Sequence, residues 1–175
     1  GLGTMAKIQA LRGDLDGAAK SLVDAAAIVD RSRAVPPWHR SAYAAARLRH
    51  VAMRLEAGDR SARAIAKQTI RYAMRVSSLV AIQRVEIAQL AGRVRLALGR
   101  RRAALAAWKQ SLELGEALGC TPELARTHAL LARHLGDDRV GDLDAATCRE
   151  RAEAMFRSLE LEWDLSDLGV VHRAA

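Results

Sequence analysis

The chain is poor in the residues on which several other kinds of protein depend. Cys120 and Cys148 are its only thiols, too few for the disulfide framework of a small secreted domain. Six aromatic residues in 175, with alanine at about a fifth of the sequence, argue against strands and for closely approaching helices. No apolar run approaches the roughly 20 residues that span a bilayer, and no charged segment precedes an apolar core at the start. A soluble cytoplasmic chain without a membrane partner is the expectation. Lysine is scarce as well, 4 against 24 arginines, a bias that fits GC-rich coding as readily as selection for guanidinium chemistry. The opening GLGTM reads as a tag remnant or fragment start, so residues 1–4 are set aside and a single domain is expected over 5–175.

Catalytic signatures are missing too. There is no GxxxxGK[ST] phosphate loop, no GxGxxG after a strand, no HRD-type catalytic loop and no GxSxG elbow. His128 and His134 are six apart, about 120° around a helix, and neither cysteine belongs to a CxxC pair, so Cys120, His128, His134 and Cys148 make a poor metal set. The acidic stretch DDRVGDLD lacks the ligand spacing and final glutamate of a calcium loop and reads as helix caps. Glu160, Glu162 and Asp164 read as a solvated helix end. A non-enzymatic protein without metal or cofactor is expected.

What is present is a run of helical hairpins. In LALGRRRAALAAWKQSLELGEAL (96–118), Gly99 follows an apolar helix end and the arginines after it open the next helix. Ala104, Trp108, Ser111, Leu112, Gly115 and Leu118 recur at steps of three and four, placing small and large side chains on one buried face. Comparable turns at Gly13, Gly58, Gly99 and Gly136 lie 45, 41 and 37 residues apart, the self-similarity of a repeat array. The pattern predicts helices over about 5–12, from an Asp14 or Asp16 cap onward, over 38–57, from an Asp59 or Ser61 cap to 76, over 79–98 after a Ser77 or Ser78 cap, from Gly99 to 118, from a Thr121 cap to 135, over 143–161, and a short closing helix over 163–171. Ser32 to Pro37 should break the chain between the second and third helices.

These hairpins, with Ala104, Trp108, Ser111 and Leu112 as small, aromatic, small and leucine in a second helix, resemble the tetratricopeptide (TPR) family, although the period exceeds its usual 34 residues. GCTPELARTHALLARHL and CRERAEAMFRSLELEWDL look like the C-terminal repeats of large bacterial signalling ATPases and nucleotide cyclases. The resemblance implies an all-α, right-handed solenoid of about four TPR-like hairpins, 8–9 helices in all, acting as a protein-interaction or regulatory module within a larger bacterial signalling protein.

Charge is strongly segregated. Residues 31–109 carry 18 Lys or Arg against 3 Asp or Glu, and 110–175 carry 7 against 13. Arg40, Tyr43, Arg47, His50 and Arg54 form a stripe at steps of three and four, extended by Arg84 and Arg95. Lying on the first helix of its hairpin, which in the resembled family generally lines the concave surface, this stripe is the expected binding site for an acidic segment of a partner or of another domain. A second stripe, Arg60, Arg63, Lys67, Arg71 and Arg75, reads as a solvated outer face. The alternative is a nucleic-acid-binding helical domain that uses the basic middle. A basic middle and an acidic end also permit salt-sensitive self-association.

Overall fold

A computed structural model describes residues 1–32 and 35–169. Among the described residues the chain forms nine α-helices, one short 3-10 turn and no strand. These are α1 (Leu2–Leu11), α2 (Leu15–Arg31), α3 (Pro37–Glu56), α4 (Arg63–Ser77, preceded by the 3-10 turn Arg60–Ala62), α5 (Ala81–Ala97), α6 (Arg101–Leu118), α7 (Thr121–His134), α8 (Ala145–Ser158) and α9 (Glu162–Asp167). Contacts cluster into two compact units, Gly1–Ala107 and the chain from Trp108 onward, where the sequence reading has one domain over 5–175. The division falls inside α6.

Most turns follow the glycine logic. At Gly99 the backbone has φ +76°, and the Arg100 N–H reaches back to the Arg95 carbonyl at 2.8 Å, closing α5 with a left-handed residue that only glycine adopts cheaply. The same six-residue closure recurs after Gly13 and Gly58, where Asp14 and Asp59 donate to Gln9 and Arg54. Asp14 then caps α2 by accepting from Gly17, and Asp144 caps α8 by accepting from Thr147.

Several boundaries differ from the sequence pattern. Residues 2–4 belong to α1, with Gly1 as its N-cap: Leu2 packs on the cluster of Ala6, Leu22, Ala25, Tyr43 and Ala46, and a Cβ added at Gly3 would lie 3.1 Å from the Tyr43 backbone. Ser77 and Ser78 do not cap α5; their hydroxyls donate to the Met74 and Arg75 carbonyls at the end of α4. Thr121 is the first residue of α7, whose N-cap is Cys120. Helix α8 spans less than 143–161 because Asp144 caps it and Leu159 ends it. The expected break at 32–37 falls partly, and the closing helix over 163–171 in its last residues, outside the described residues.

In the first unit α1 packs on α2 and α3, and α3 in turn packs on α2, α4 and α5. Alanine makes this possible. Ala44, Ala45, Ala52, Ala62, Ala66, Ala73 and Ala91 sit in one buried cluster with Leu48, Val51, Leu55, Ile70, Ile87, Leu90 and Val94, so backbones approach closely. Enclosure of α3 and α5 also buries polar groups. The Glu86 carboxylate accepts from Arg49 and Lys7, both at 2.8 Å, and both Glu86 and Arg49 are less than a tenth exposed. In the second unit α7 packs on α8 and α8 on α9, with Phe156, Leu165, Ala125 and Ala152 between them. Trp108 of α6 is fully buried and stacks on His134, and the Ser111 hydroxyl pairs with Thr127 at 2.9 Å. Of the face expected on α6 only Leu118 is exposed.

Burial pushes the Glu86 pKa up, but the charges of Lys7 and Arg49 and the hydrogen bonds from both outweigh it, leaving the carboxyl below the ordinary 4.5. The ionised form is therefore favoured by folding, and its contribution is present above pH 4.5 and fades as pH falls through the folded-state value. Glu86→Gln strands a buried guanidinium and should lower the unfolding free energy by about 3 kcal/mol at neutral pH. Urea titrations at several pH values should show that loss shrinking below pH 4.5, whereas a loss that stays constant into acid would contradict the ion-pair account.

Candidate basic face of the first unit

The seven residues expected to form one binding surface are not brought together as one. Tyr43 is 6% exposed, packed among Ala6, Leu22, Ala25 and Ala46, and meets the Tyr72 ring edge-on at 6.2 Å between centroids. His50 is 7% exposed, and its Nε2 faces the Leu15 carbonyl at 3.1 Å. That contact makes Nε2–H the donor, and burial foremost, with Arg54 nearby, lowers the ring's pKa despite the carbonyl. Arg54 is occupied at the α3–α4 turn, its Nε donating to Asp59 at 2.7 Å and its Nη2 to Ser61 at 2.8 Å. Hydrogen bonds from the Ser61 hydroxyl first, then from Arg54 and from the Ser61 N–H, hold the Asp59 carboxyl down at about 2. Arg95 is half-buried and donates to the Ala103 carbonyl across the α5–α6 turn, and Arg84 is exposed in the first turn of α5. Arg40 and Arg47 are half-buried, Arg40 donates to the Ser32 carbonyl at 3.4 Å, and both are close enough to Tyr72 to act on its phenol electrostatically. The physical reason is enclosure: a helix touched by four neighbours has little free face on which to present a stripe.

The exposed cationic surface is on α4 instead. Arg60, Arg63, Lys67, Arg71 and Arg75 are all exposed, and the helix RAIAKQTIRYAMRVS contains no acid. Residues 31–109 hold three acids only, and each has an internal partner: Glu86 with Arg49, Asp59 with Arg54, and Glu56 with Arg93 in a bidentate pair at 2.6 and 2.9 Å. Among the described residues Arg60, Arg63, Lys67 and Arg71 make no ion pair. Successive cations four apart on a helix repel by about 0.2–0.5 kcal/mol per pair, so the steps from 63 to 67, 71 and 75 work slightly against the helix and favour an external anion.

Toward the C-terminal end of α4 this ladder borders an open groove of about 360 Å³ lined by Gln68, Arg71, Tyr72 and Arg75, residues that share one helix face at steps of three and four. Tyr72 is half-buried, packs against both core clusters of the unit, and has the Arg75 guanidinium carbon 5.9 Å above its ring centroid. Burial and then Tyr43 raise its pKa against the opposing pull of Arg40 and Arg47, so the phenol keeps its proton. Asp30 also acts on it. The sequence signal for this site is RYAMR, an aromatic set within an acid-free cationic helix.

The groups weighed as metal ligands have other roles. No group of three or more His, Cys, Asp or Glu among the described residues is placed to hold a metal ion. Cys120 and Cys148 are buried, and burial raises both thiols, Cys148 to about 11. Comparisons with family models, with curated proteins and with solved structures give no match. No helix among the described residues is long and apolar enough to cross a membrane.

His128 is 1% exposed with its Nδ1 unpartnered, and burial first, then Arg151, lowers its pKa from 6.5 to about 4. A lowered imidazole pKa means that folding favours the neutral ring. Its contribution is intact above pH 6.5 and disappears as pH falls toward 4. At about 1.4 kcal/mol per pKa unit this accounts for about 3 kcal/mol of acid sensitivity in the second unit. His128→Leu should flatten the unfolding free energy between pH 6.5 and 4 by that order, and an unchanged slope would show that the ring is not the titrating group.

Proposed function

We propose that the chain is a non-enzymatic protein-interaction module whose first unit docks an acidic segment, supplied by a partner protein or by another domain of the same polypeptide, on the basic face of α4. The observation that supports this reading is the exhaustion of acids: all three in residues 31–109 are committed internally, while among the described residues Arg63, Lys67 and Arg71 of α4 make no ion pair. The order of packing supports a TPR-like arrangement of the first unit, since α1, α3 and α5 are successive neighbours and α2 and α4 each join the helices before and after them. In that arrangement α4 is the second helix of its hairpin, so docking uses the outer layer rather than the first-helix surface suggested by the resemblance. A regulatory role in a larger bacterial signalling protein rests on that resemblance.

A protein ligand is favoured over nucleic acid because of the aromatic. Proteins that grip single strands stack bases on open rings, whereas the one ring of α4, Tyr72, is half-buried against Tyr43 beneath Arg75. Recognition would combine shape with arginine forks that bind carboxylates in bidentate fashion.

Fluorescence anisotropy with a labelled oligo-glutamate peptide tests this directly. Binding should weaken steeply with salt, since exposed charges are screened over about 10 Å at 0.1 M. Lys67→Glu with Arg71→Glu should abolish it and leave the melting temperature nearly unchanged, because exposed substitutions usually shift stability by about 0.5 kcal/mol or less. Arg100→Glu with Arg102→Glu, exposed residues at the start of α6, changes net charge equally and should leave binding within about threefold. Equal losses from the two pairs would reduce the interaction to bulk attraction, and tighter binding of a single-stranded oligonucleotide than of the peptide would favour the nucleic-acid alternative.

A further inference from the structure

We propose that the groove at Tyr72 is a phosphoryl subsite, so that a phosphoserine or phosphothreonine within the docked acidic segment strengthens its binding. The inference rests on the docking reading above and adds the chemistry of one position within it. Along most of α4 the cations project singly at steps of about 6 Å, spacing that suits one carboxylate apiece. At Tyr72 a recess opens beside them. Arg71 and Arg75 line it together with Gln68 and Tyr72, so two guanidiniums, an amide and a phenol of one helix face border a single groove. A single carboxylate brings one charge and two oxygens, too little to engage such a cluster. A phosphomonoester brings a charge of about −1.5 to −2 and three acceptor oxygens, each suited to an arginine fork.

The remaining groups agree with this assignment. The Tyr72 hydroxyl retains its proton and is therefore a donor, and Gln68 supplies an amide on the same helix face. The ring is fixed by its edge contact with Tyr43 and by packing against both core clusters, so its hydroxyl is positioned before any ligand arrives. The groove, at about 360 Å³, is open and has room for a phosphoryl group on its side chain.

The experiment compares two labelled peptides of alternating glutamate and serine, identical except that one central serine is free or phosphorylated. The phosphorylated form should bind the wild-type chain about tenfold more tightly, and the preference should shrink below about pH 6, where the phosphoryl group loses its second charge. Glutamate at the central position should not reproduce the gain. In Tyr72→Phe, which keeps the ring and its packing, and in Arg71→Gln with Arg75→Gln, the preference should fall to about threefold or less while circular dichroism melting is retained. Equal affinity for both peptides, with binding still lost in Lys67→Glu with Arg71→Glu, would overturn the phosphoryl subsite and leave the docking reading standing. A preference that survives both groove variants would also overturn it by placing the phosphoryl group elsewhere. If neither peptide binds, both readings fall.

Discussion

Close packing of alanine-rich helix faces around α3 is the constraint on which the rest of the first unit depends. With alanine at 44, 45, 52, 62, 66, 73 and 91 buried between them, α3, α4 and α5 approach too closely to admit long side chains at those contacts. The α1–α2 hairpin then lies on the remaining side of α3, with Ala6, Leu22 and Ala25 against Tyr43 and Ala46. Eleven residues of α3 are buried as a result, and they include Tyr43, Arg49 and His50. A helix so enclosed has to pair its buried charges internally, because an unpaired buried charge costs several kcal/mol.

That requirement sorts the arginines. Arg49, Arg54 and Arg93 consume the acids available in residues 31–109, and Arg95 is turned to a backbone carbonyl. Of the cations left over, Arg60, Arg63, Lys67, Arg71 and Arg75 lie on the outside of α4 and the turn that leads into it, where water solvates them. The concentration of uncompensated positive charge on one exposed helix is thus a consequence of how the core is closed, and not a feature that α4 carries independently of its neighbours. Tyr72 links the two regimes, since it packs against the core clusters and also lines the basic groove.

The second unit resolves its charges differently. Its acids outnumber its cations, and two of its ion pairs join α7 to α9: Arg126 holds Asp164 through two bonds at 2.8 and 3.0 Å, and Arg133 reaches both the backbone and the side chain of Asp167. These contacts fasten α9 onto α7. Buried Trp108, His128, Cys120 and Cys148 serve packing, and the raised thiols and lowered imidazole are what desolvation does to groups of this kind.

Helix number, most turns and the buried face of α6 were legible in the sequence because they depend on neighbours within a few residues. A glycine after an apolar helix end needs positive φ, an aspartate before a helix caps it, and the three-and-four spacing of Ala104, Trp108, Ser111 and Leu112 puts them on one side. The segregation of charge was equally plain. Which stripe faces water was not, since Arg40, Tyr43, Arg47, His50 and Arg54 and the α4 cations have the same helical periodicity, and periodicity gives a face without saying what covers it. Covering is decided by packing and not by periodicity: the earlier hairpin α1–α2 lies over Tyr43 and His50, Asp59 in the following turn takes Arg54, and Glu86, 37 residues along the chain, takes Arg49. The sequence by itself determined the helices and the total charge; only the packing of helices distant in the chain decided which of those charges is buried, which is paired and which is offered to a partner.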